Sequence, residues 1–178
     1  YPLRNSGGIM ANTFELIASY TATGTVSSID FTSIPSTYTD LCLKVSARSN
    51  DATYREIWLT LNGSTTNGTA RILKGDGSSA SSYTATRVQA TGYTNTTGST
   101  SNTFTSVDIY IPNYAGSTNK SFSADAVSEN NATAGYNYLF AGLWSNNTAI
   151  SQITLTPDTA SSINQYSTAT LYGIRVEI

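Results

Sequence analysis

The sequence predicts an all-β fold, namely a jelly-roll-like antiparallel β-sandwich of about ten short strands. Two observations predict it. Apolar and polar residues alternate with a period of two, in short runs bounded by Gly, Asn, Ser or Pro. The runs are also rich in Thr, Val and Ile, whose branched side chains suit a pleated, half-buried surface. With 178 residues, the chain is long enough to bury a core without disulfides or a metal.

Five runs predict strands with one apolar face each. These faces are Leu41, Leu43, Val45 and Ala47; Ile57, Leu59 and Leu61; Val107, Ile109 and Ile111; Phe122, Ala124 and Ala126; and Ile153 with Leu155. Turn or breaker residues follow three of these runs, at Asn62-Gly63, Pro112-Asn113 and Pro157. We therefore expect antiparallel strands joined by short connections.

The remaining strand signals are a C-terminal run and four weaker segments. The C-terminal run places Tyr172, Ile174, Val176 and Ile178 on one face, with Arg175 and Glu177 opposite. The weaker strand candidates are residues 13–20, 26–31, 83–90 and 136–144. Residues 64–68 and 92–102 are predicted to be exposed loops, because residues 91–103 contain one aromatic and no aliphatic side chain to bury.

The first residues differ in composition from the rest of the chain. We expect residues 1–12 to form an N-terminal arm or a non-native remnant, and residues 13–178 to form a single β-sandwich domain. Met10 would be a plausible translational start, and Gly7-Gly8 would act as a hinge. If the arm is native, Tyr1 and Leu3 are candidate interface residues.

The composition argues against several classes of function. Charged residues make up 11% of the chain, whereas Ser, Thr and Asn together supply 69 residues. Nine scattered Lys and Arg form no basic patch, so we expect no nucleic-acid partner. A chain with no His and one Cys offers neither a His/Cys zinc site nor a Ser-His-Asp triad. No apolar run approaches the ~20 residues that cross a bilayer, so we expect no membrane partner.

Two weak signals for chemistry remain. The acids Asp108, Asp125 and Glu129 could supply a carboxylate pair for glycoside hydrolysis, although solvated surface positions are the simpler interpretation. The loop around Asp76 has small and acidic residues that could bind calcium, but it lacks the further acids of an EF-hand, so a plain turn is favoured. We therefore predict no catalytic residues, no cofactor and no metal.

Two large aromatic residues suggest a protein interface. Trp58 and Tyr110 each fall opposite the apolar face of their predicted strand, which should keep them out of the core. Local loop cover is the competing interpretation. The chain has three lysines and four prolines, so its strand edges have little protection against pairing. We therefore expect an oligomer or a permanently docked subunit.

Several segments resemble a known family. They are Leu143-Trp144, TAISQITLTPD at 148–158 and STATLYGI at 167–174, with FTSIPSTYTDLCLKVSARS at 31–49, LNGST at 61–65, LKGDGSSASS at 73–82 and IYIPNYAG at 109–116 upstream. This pattern resembles the small virion structural proteins of tailed bacteriophages, of the capsid decoration (cement) or tail-fibre-domain type. The loop before the last strand, TASSINQYS, lacks the glycine usual in that group.

The resemblance implies a jelly roll, often a homotrimer, without enzymatic activity. A first strand starting soon after Met10 suits a small separate subunit, so a decoration protein bound to the major capsid protein on the outer surface of the head is the leading expectation. The alternative is a tail-fibre or spike module that contacts host glycans, with sugar stacking on tyrosines such as Tyr93, Tyr136 and Tyr138. A polysaccharide depolymerase using Asp125 or Glu129 is the third hypothesis.

Overall fold

The computed structural model describes residues 13–131, 135–158 and 161–175. Residues 1–12, including Tyr1 and Leu3, lie outside this part of the chain. The described residues confirm the all-β prediction, since they contain no helix and therefore no helix able to span a membrane. They form twelve strands: β1 (Phe14–Thr21), β2 (Ile29–Phe31), β3 (Asp40–Ala47), β4 (Arg55–Leu61), β5 (Gly68–Gly75), β6 (Ala80–Ala85), β7 (Gln89–Thr94), β8 (Thr105–Ile111), β9 (Lys120–Ser128), β10 (Tyr136–Trp144), β11 (Ile153–Pro157) and β12 (Thr168–Ile174).

The strands build two antiparallel sheets. The larger sheet has the order β1-β12-β3-β8-β9-β10-β5-β6, and the smaller has the order β2-β11-β4-β7. Apolar side chains from both sheets form one buried cluster between them. This arrangement is a β-sandwich, in which each sheet buries one face and exposes the other.

The five strongest strand predictions are confirmed with their faces. Leu41, Leu43 and Leu61 are fully buried, as are Ile109 and Ile153. Alternate residues of these strands are exposed or half-buried, except for the buried Cys42 in β3. The period-two pattern therefore located the core correctly.

The C-terminal strand faces the core with the opposite phase to the apolar run seen in the sequence. In β12 the buried residues are Ala169, Leu171 and Gly173, whereas Tyr172 and Ile174 lie on the other, half-buried face. Gly173 occupies the inner position because the ring of Tyr38 covers its Cα, so a Cβ there would lie 2.3 Å from that ring. Val176 and Ile178 lie outside the described residues.

Three further predictions need correction. Residues 83–90 are not one strand, because β6 ends at Ala85 and β7 begins at Gln89. Residues 92–102 are not one exposed loop, since β7 extends to Thr94 and the next two residues, Asn95 and Thr96, are buried. Hydrogen bonds replace apolar burial in this segment, and residue composition gave no signal of them. Residue 68 likewise begins β5 and is buried.

A buried guanidinium orders the segment between β7 and β8. Arg48 is 7% exposed, and its Nη1 and Nη2 donate to the carbonyl oxygens of Ser99, Thr100 and Thr103 at 2.7–3.1 Å. Burial lowers the pKa of this guanidinium from its ordinary value. The carbonyls supply the polar partners that a buried charge requires.

Replacing Arg48 with methionine is expected to lower the free energy of unfolding by about 3 kcal/mol, because three carbonyl groups each lose a charge-assisted hydrogen bond from the guanidinium. Equilibrium urea unfolding measures the change. Arg71→Met, on the exposed face of β5, is the matched control and should change stability by less than about 0.5 kcal/mol. A loss below about 1 kcal/mol for Arg48→Met would contradict the assigned role.

Candidate interaction surface

The outer face of the larger sheet, which points away from the smaller sheet, carries an exposed apolar patch. Leu139 on β10 lies directly opposite Leu73 on β5 and Asp125 on β9. Leu139 is 58% exposed, Leu73 49%, and Val127 on β9 41%. Leu143, four residues along β10, continues the apolar surface. We call these four leucine and valine residues (Leu73, Val127, Leu139 and Leu143) the outer patch.

The surface around the outer patch is concave. A depression of about 490 Å³ lies over Leu73, Val127 and Leu139. Two neighbouring depressions, of about 460 and 290 Å³, extend toward β6 and toward β3. Leu139 lines all three depressions. The outer face therefore offers a trough, with Leu139 at its centre, that could receive a convex apolar surface.

Few charges surround the patch, and they are of both signs. Lys44 and Asp108 form an ion pair across β3 and β8, and Asp125 lies next to Asp108 on β9. The hydrogen bond to Asp108 raises the pKa of Lys44 from its ordinary value, so its ammonium stays charged at neutral pH. Arg71 adds a positive charge on the other side of the patch, on β5. These charges are too few and too mixed in sign to give the surface a strong field of one sign.

Tyr110 lies on this outer face, as the sequence predicted, and is 41% exposed. Its hydroxyl donates to Asp40 Oδ2 at 2.7 Å, and this hydrogen bond raises the pKa of the phenol. Cys42 lies opposite Tyr110 on β3 and is buried. Burial raises the pKa of its thiol, so the thiol stays protonated at neutral pH and is a poor nucleophile. Tyr110 is therefore a neutral, partly exposed aromatic residue on the outer face.

Trp58 lies on the smaller sheet and outside the buried apolar cluster, in the phase that the sequence predicted. Its indole is half-buried, because the guanidinium of Arg87 stacks on it with Cζ 3.7 Å from the ring centroid. Its Nε1 is buried and has no hydrogen-bond partner among the residues that the structure describes. Trp58 and Tyr110 lie on different sheets and belong to separate surfaces.

A cluster of tyrosines lies where β4, β7 and β10 meet. Tyr93 stacks on Tyr54 at 5.5 Å and meets Tyr136 edge-on at 5.2 Å. The ammonium of Lys74 lies 4.8 Å from the Tyr93 ring centroid and 4.5 Å from that of Tyr136. Tyr138 is buried at the base of the cluster. The suggested sugar platform at loop tips is therefore wrong for Tyr138, and the Tyr93 ring already packs against other side chains.

Two of the three candidate acids, Asp108 and Asp125, line one depression, whereas Glu129 does not line it. Asp108 and Asp125 are neighbours across β8 and β9, but Asp108 pairs with Lys44. Glu129, beyond the end of β9, accepts a hydrogen bond from the backbone N–H of Asn131 at 2.6 Å. No group of three or more potential metal-ligating side chains occurs within residues 13–131, 135–158 and 161–175. The positions and partners of these acids therefore favour ordinary surface roles over a catalytic carboxylate pair.

The GDGSS loop is the turn of the β5–β6 hairpin. The Asp76 carboxylate accepts hydrogen bonds from the backbone N–H and hydroxyl groups of Ser78 and Ser79, at 2.8–3.0 Å. These donors lower the pKa of Asp76 well below its ordinary value. Because the carboxylate oxygens are used by the turn itself, the turn interpretation suits this loop better than a calcium site.

The outer patch was not predicted from the sequence, although β10 carried a signal for it. Most strands alternate apolar with polar residues, but residues 138–144 are apolar at nearly every position. Tyr138, Phe140 and Trp144 point into the core, which leaves Leu139 and Leu143 on the outer face. A strand that is apolar on both faces indicates a second contact surface. No protein-family model, curated protein or solved structure matches the chain.

Proposed function

We propose that the protein is a non-enzymatic virion structural protein, a decoration or cement protein that binds and stabilises an assembled phage capsid. The observation that carries the proposal is the outer patch, an exposed apolar trough on the outer face of the larger sheet. Exposed apolar surface of this kind marks interaction sites in soluble proteins. The major capsid protein is the proposed partner, on the outer surface of the head.

The proposed contact is apolar at its centre and only weakly charged. Its leucines would be buried against the capsid, and the Lys44–Asp108 ion pair would lie at its rim. Asp125 lies directly opposite Leu139 and would need a polar partner on the capsid. Burial of apolar area is insensitive to salt, whereas exposed charge pairs are screened by it. We therefore expect binding to persist when the salt concentration rises from 0.1 to about 1 M, where the screening length is about 3 Å.

The strand order supports the jelly-roll part of the proposal. Strands β1, β12, β3 and β8 are neighbours in one sheet, and β2, β11, β4 and β7 form the other. We propose that these eight strands are a jelly roll, a double sheet of two Greek keys. The hairpins β9–β10 and β5–β6 would then be additions that widen one sheet. The outer patch lies on these two hairpins, where added strands would have gained a binding role.

Stabilisation would follow from linkage. A protein that binds the assembled shell, and not its separated subunits, shifts the equilibrium toward the shell. The test uses phage particles that lack this protein, mixed with the purified chain. The proposal predicts saturable binding and a higher temperature of shell disruption. Absence of binding at protein concentrations of tens of micromolar would contradict it.

Trp58→Ala tests for a second contact, through the smaller sheet and separate from the outer patch: such a contact predicts weaker self-association or shell binding with the fold intact, because the indole lies outside the core. Sedimentation velocity and a shell-binding titration measure the two effects, and circular dichroism checks the fold. Arg87→Ala removes the cation stacked on the indole. It separates a role of Trp58 in an interface from local packing of Trp58 against Arg87. Unchanged assembly in both variants would mean that Trp58 serves only local packing.

The alternative function is a tail-fibre or spike module that binds host glycans. The half-buried tyrosine cluster with Lys74 favours it, since aromatic rings and a cation suit carbohydrate and its acidic groups. Binding of host polysaccharide that is lost in Tyr136→Ala would support this function.

The depolymerase hypothesis predicts new reducing ends from the same polysaccharide, and their absence would exclude it.

A further inference from the structure

The free edge of β6 is an unprotected strand edge. β6 is the last strand of the larger sheet and pairs only with β5. Five of its six residues are exposed, on both faces of the strand. No backbone hydrogen bond joins it to any other segment within the described part of the chain. Its outward N–H and C=O groups therefore lack protein partners there.

The other three sheet edges are protected. β1 has a register shift between Leu16 and Ala18, and its Glu15 forms an ion pair with Arg175. β2 is only three residues long and has Asp30 at its centre. β7 has a register shift against β4, and it contacts β9 and β10 of the facing sheet. Bulges, charges and short length are the usual protections against edge pairing.

β6 has none of these protections. Its sequence, ASSYTA, contains no charge and no proline, and its pairing with β5 shows no register shift. A strand of this kind exposed to solvent is a template for another strand. The structure therefore points to a partner strand, because only an extended backbone can satisfy a row of alternating donors and acceptors.

We propose that β6 pairs antiparallel with β6 of a second copy of this chain, around a two-fold axis. The larger sheets of the two copies would join into one continuous sheet of sixteen strands. Self-pairing brings no charge against a like charge, because β6 carries none. Two registers are possible. If the two-fold axis passes through Ser82, small residues oppose each other on the outer face and Tyr83 lies opposite Ser81 of the second copy. If the axis passes through Tyr83, the two copies of Tyr83 lie opposite each other.

Continuity of surface favours a second copy over a foreign strand. Leu73 is directly opposite Ser82, one strand from the free edge. The depression over Leu73, Ser82 and Leu139 reaches β6 and would open toward the same depression in the second copy. A six-residue strand pair contributes only part of the roughly 1,200–2,000 Å² that a stable interface buries. We therefore expect a reversible, concentration-dependent dimer.

Sedimentation equilibrium of the full chain tests the pairing. The expected mass rises with concentration from 18.9 kDa toward twice that value. Ser82→Lys places a cation at the free edge and is expected to weaken dimerisation at least tenfold. Ser121→Lys makes the same change on the outer face of β9, a central strand, and should leave the dimer unchanged. A monomer at all concentrations, a trimer, or a dimer insensitive to Ser82→Lys would overturn the proposal.

Disulfide crosslinking tests the register. Single cysteines replace Ser82 and Tyr83, with Cu(II)-phenanthroline as the oxidant and Ser121→Cys as the control. One of the two edge cysteines, the one on the axis, is expected to form a covalent dimer at least ten times faster than the control. The wild-type chain gives the background, because Cys42 is buried. Equal rates for all three variants would overturn the proposal.

The dimer and the proposed capsid role are tested separately. A solution dimer blocked by Ser82→Lys supports the pairing even if the protein proves absent from phage heads. Conversely, shell binding by a strictly monomeric wild-type chain would support the capsid role and overturn the pairing.

Discussion

Gly142→Val is expected to lower the free energy of unfolding by more than about 4 kcal/mol, among the largest effects of a single substitution. Gly142 lies on the inner face of β10, directly opposite Phe122 on β9. A Cβ at this position would lie 1.8 Å from the Phe122 ring. β5 and β9 flank β10 on both sides, so the backbone has little room to move away.

Chemical denaturation measures the effect, with Ala141→Val as the matched control on the exposed face of the same strand. The control should change stability by less than about 0.5 kcal/mol. Phe122→Ala provides a second test, because Gly142→Ala should cost much less in that background, giving a coupling energy of about 1–3 kcal/mol. Additive costs for the two substitutions would contradict the packing of Phe122 on Gly142.

Leu139→Asp is expected to weaken binding to phage shells at least 100-fold while the protein remains folded. Leu139 is the centre of the outer patch and is 58% exposed. Its replacement should therefore change the free energy of unfolding of the monomer very little. In the bound state an unpaired carboxylate would be buried among leucines and next to Asp125, which is strongly unfavourable. Truncation of central interface residues alone often costs 2 kcal/mol or more.

A titration of particles that lack the protein, read out by cosedimentation, measures this effect. Ser27→Asp introduces the same charge at an exposed position just before β2, on the smaller sheet, and should bind like the wild type. Equal affinity for Leu139→Asp and the wild type would show that the outer patch is not the capsid contact.

The sequence predicted the fold well where alternation of apolar and polar residues was strong. β8 alternates cleanly and β3 departs from alternation only at the buried Cys42, and both were predicted with the correct face. β12 was assigned the wrong apolar face, because its inner position 173 is a glycine covered by Tyr38 and the outer ones are Tyr and Ile. Burial at these positions depends on packing across the sandwich, which local periodicity does not report.

The candidate surface was predicted only in part. Tyr110 was placed correctly on the outer face from its phase within β8. The outer patch depends on the pairing of the β9–β10 hairpin with β5, which lies far earlier in the sequence, so only the register of these strands brings Leu73, Val127 and Leu139 together. The buried segment at 94–96 was missed for a different reason: Thr94 and Asn95 are polar, and Asn95 is anchored by a hydrogen bond from its N–H to Thr105.

The copy number of the protein per virion, measured by quantitative mass spectrometry against the major capsid protein, tests the central claim most directly. The decoration role predicts a ratio of the same order as the capsid subunits, because the protein would bind throughout the head lattice. A ratio of a few to a few dozen copies per particle would contradict that role and would place the protein at a fibre, spike or vertex.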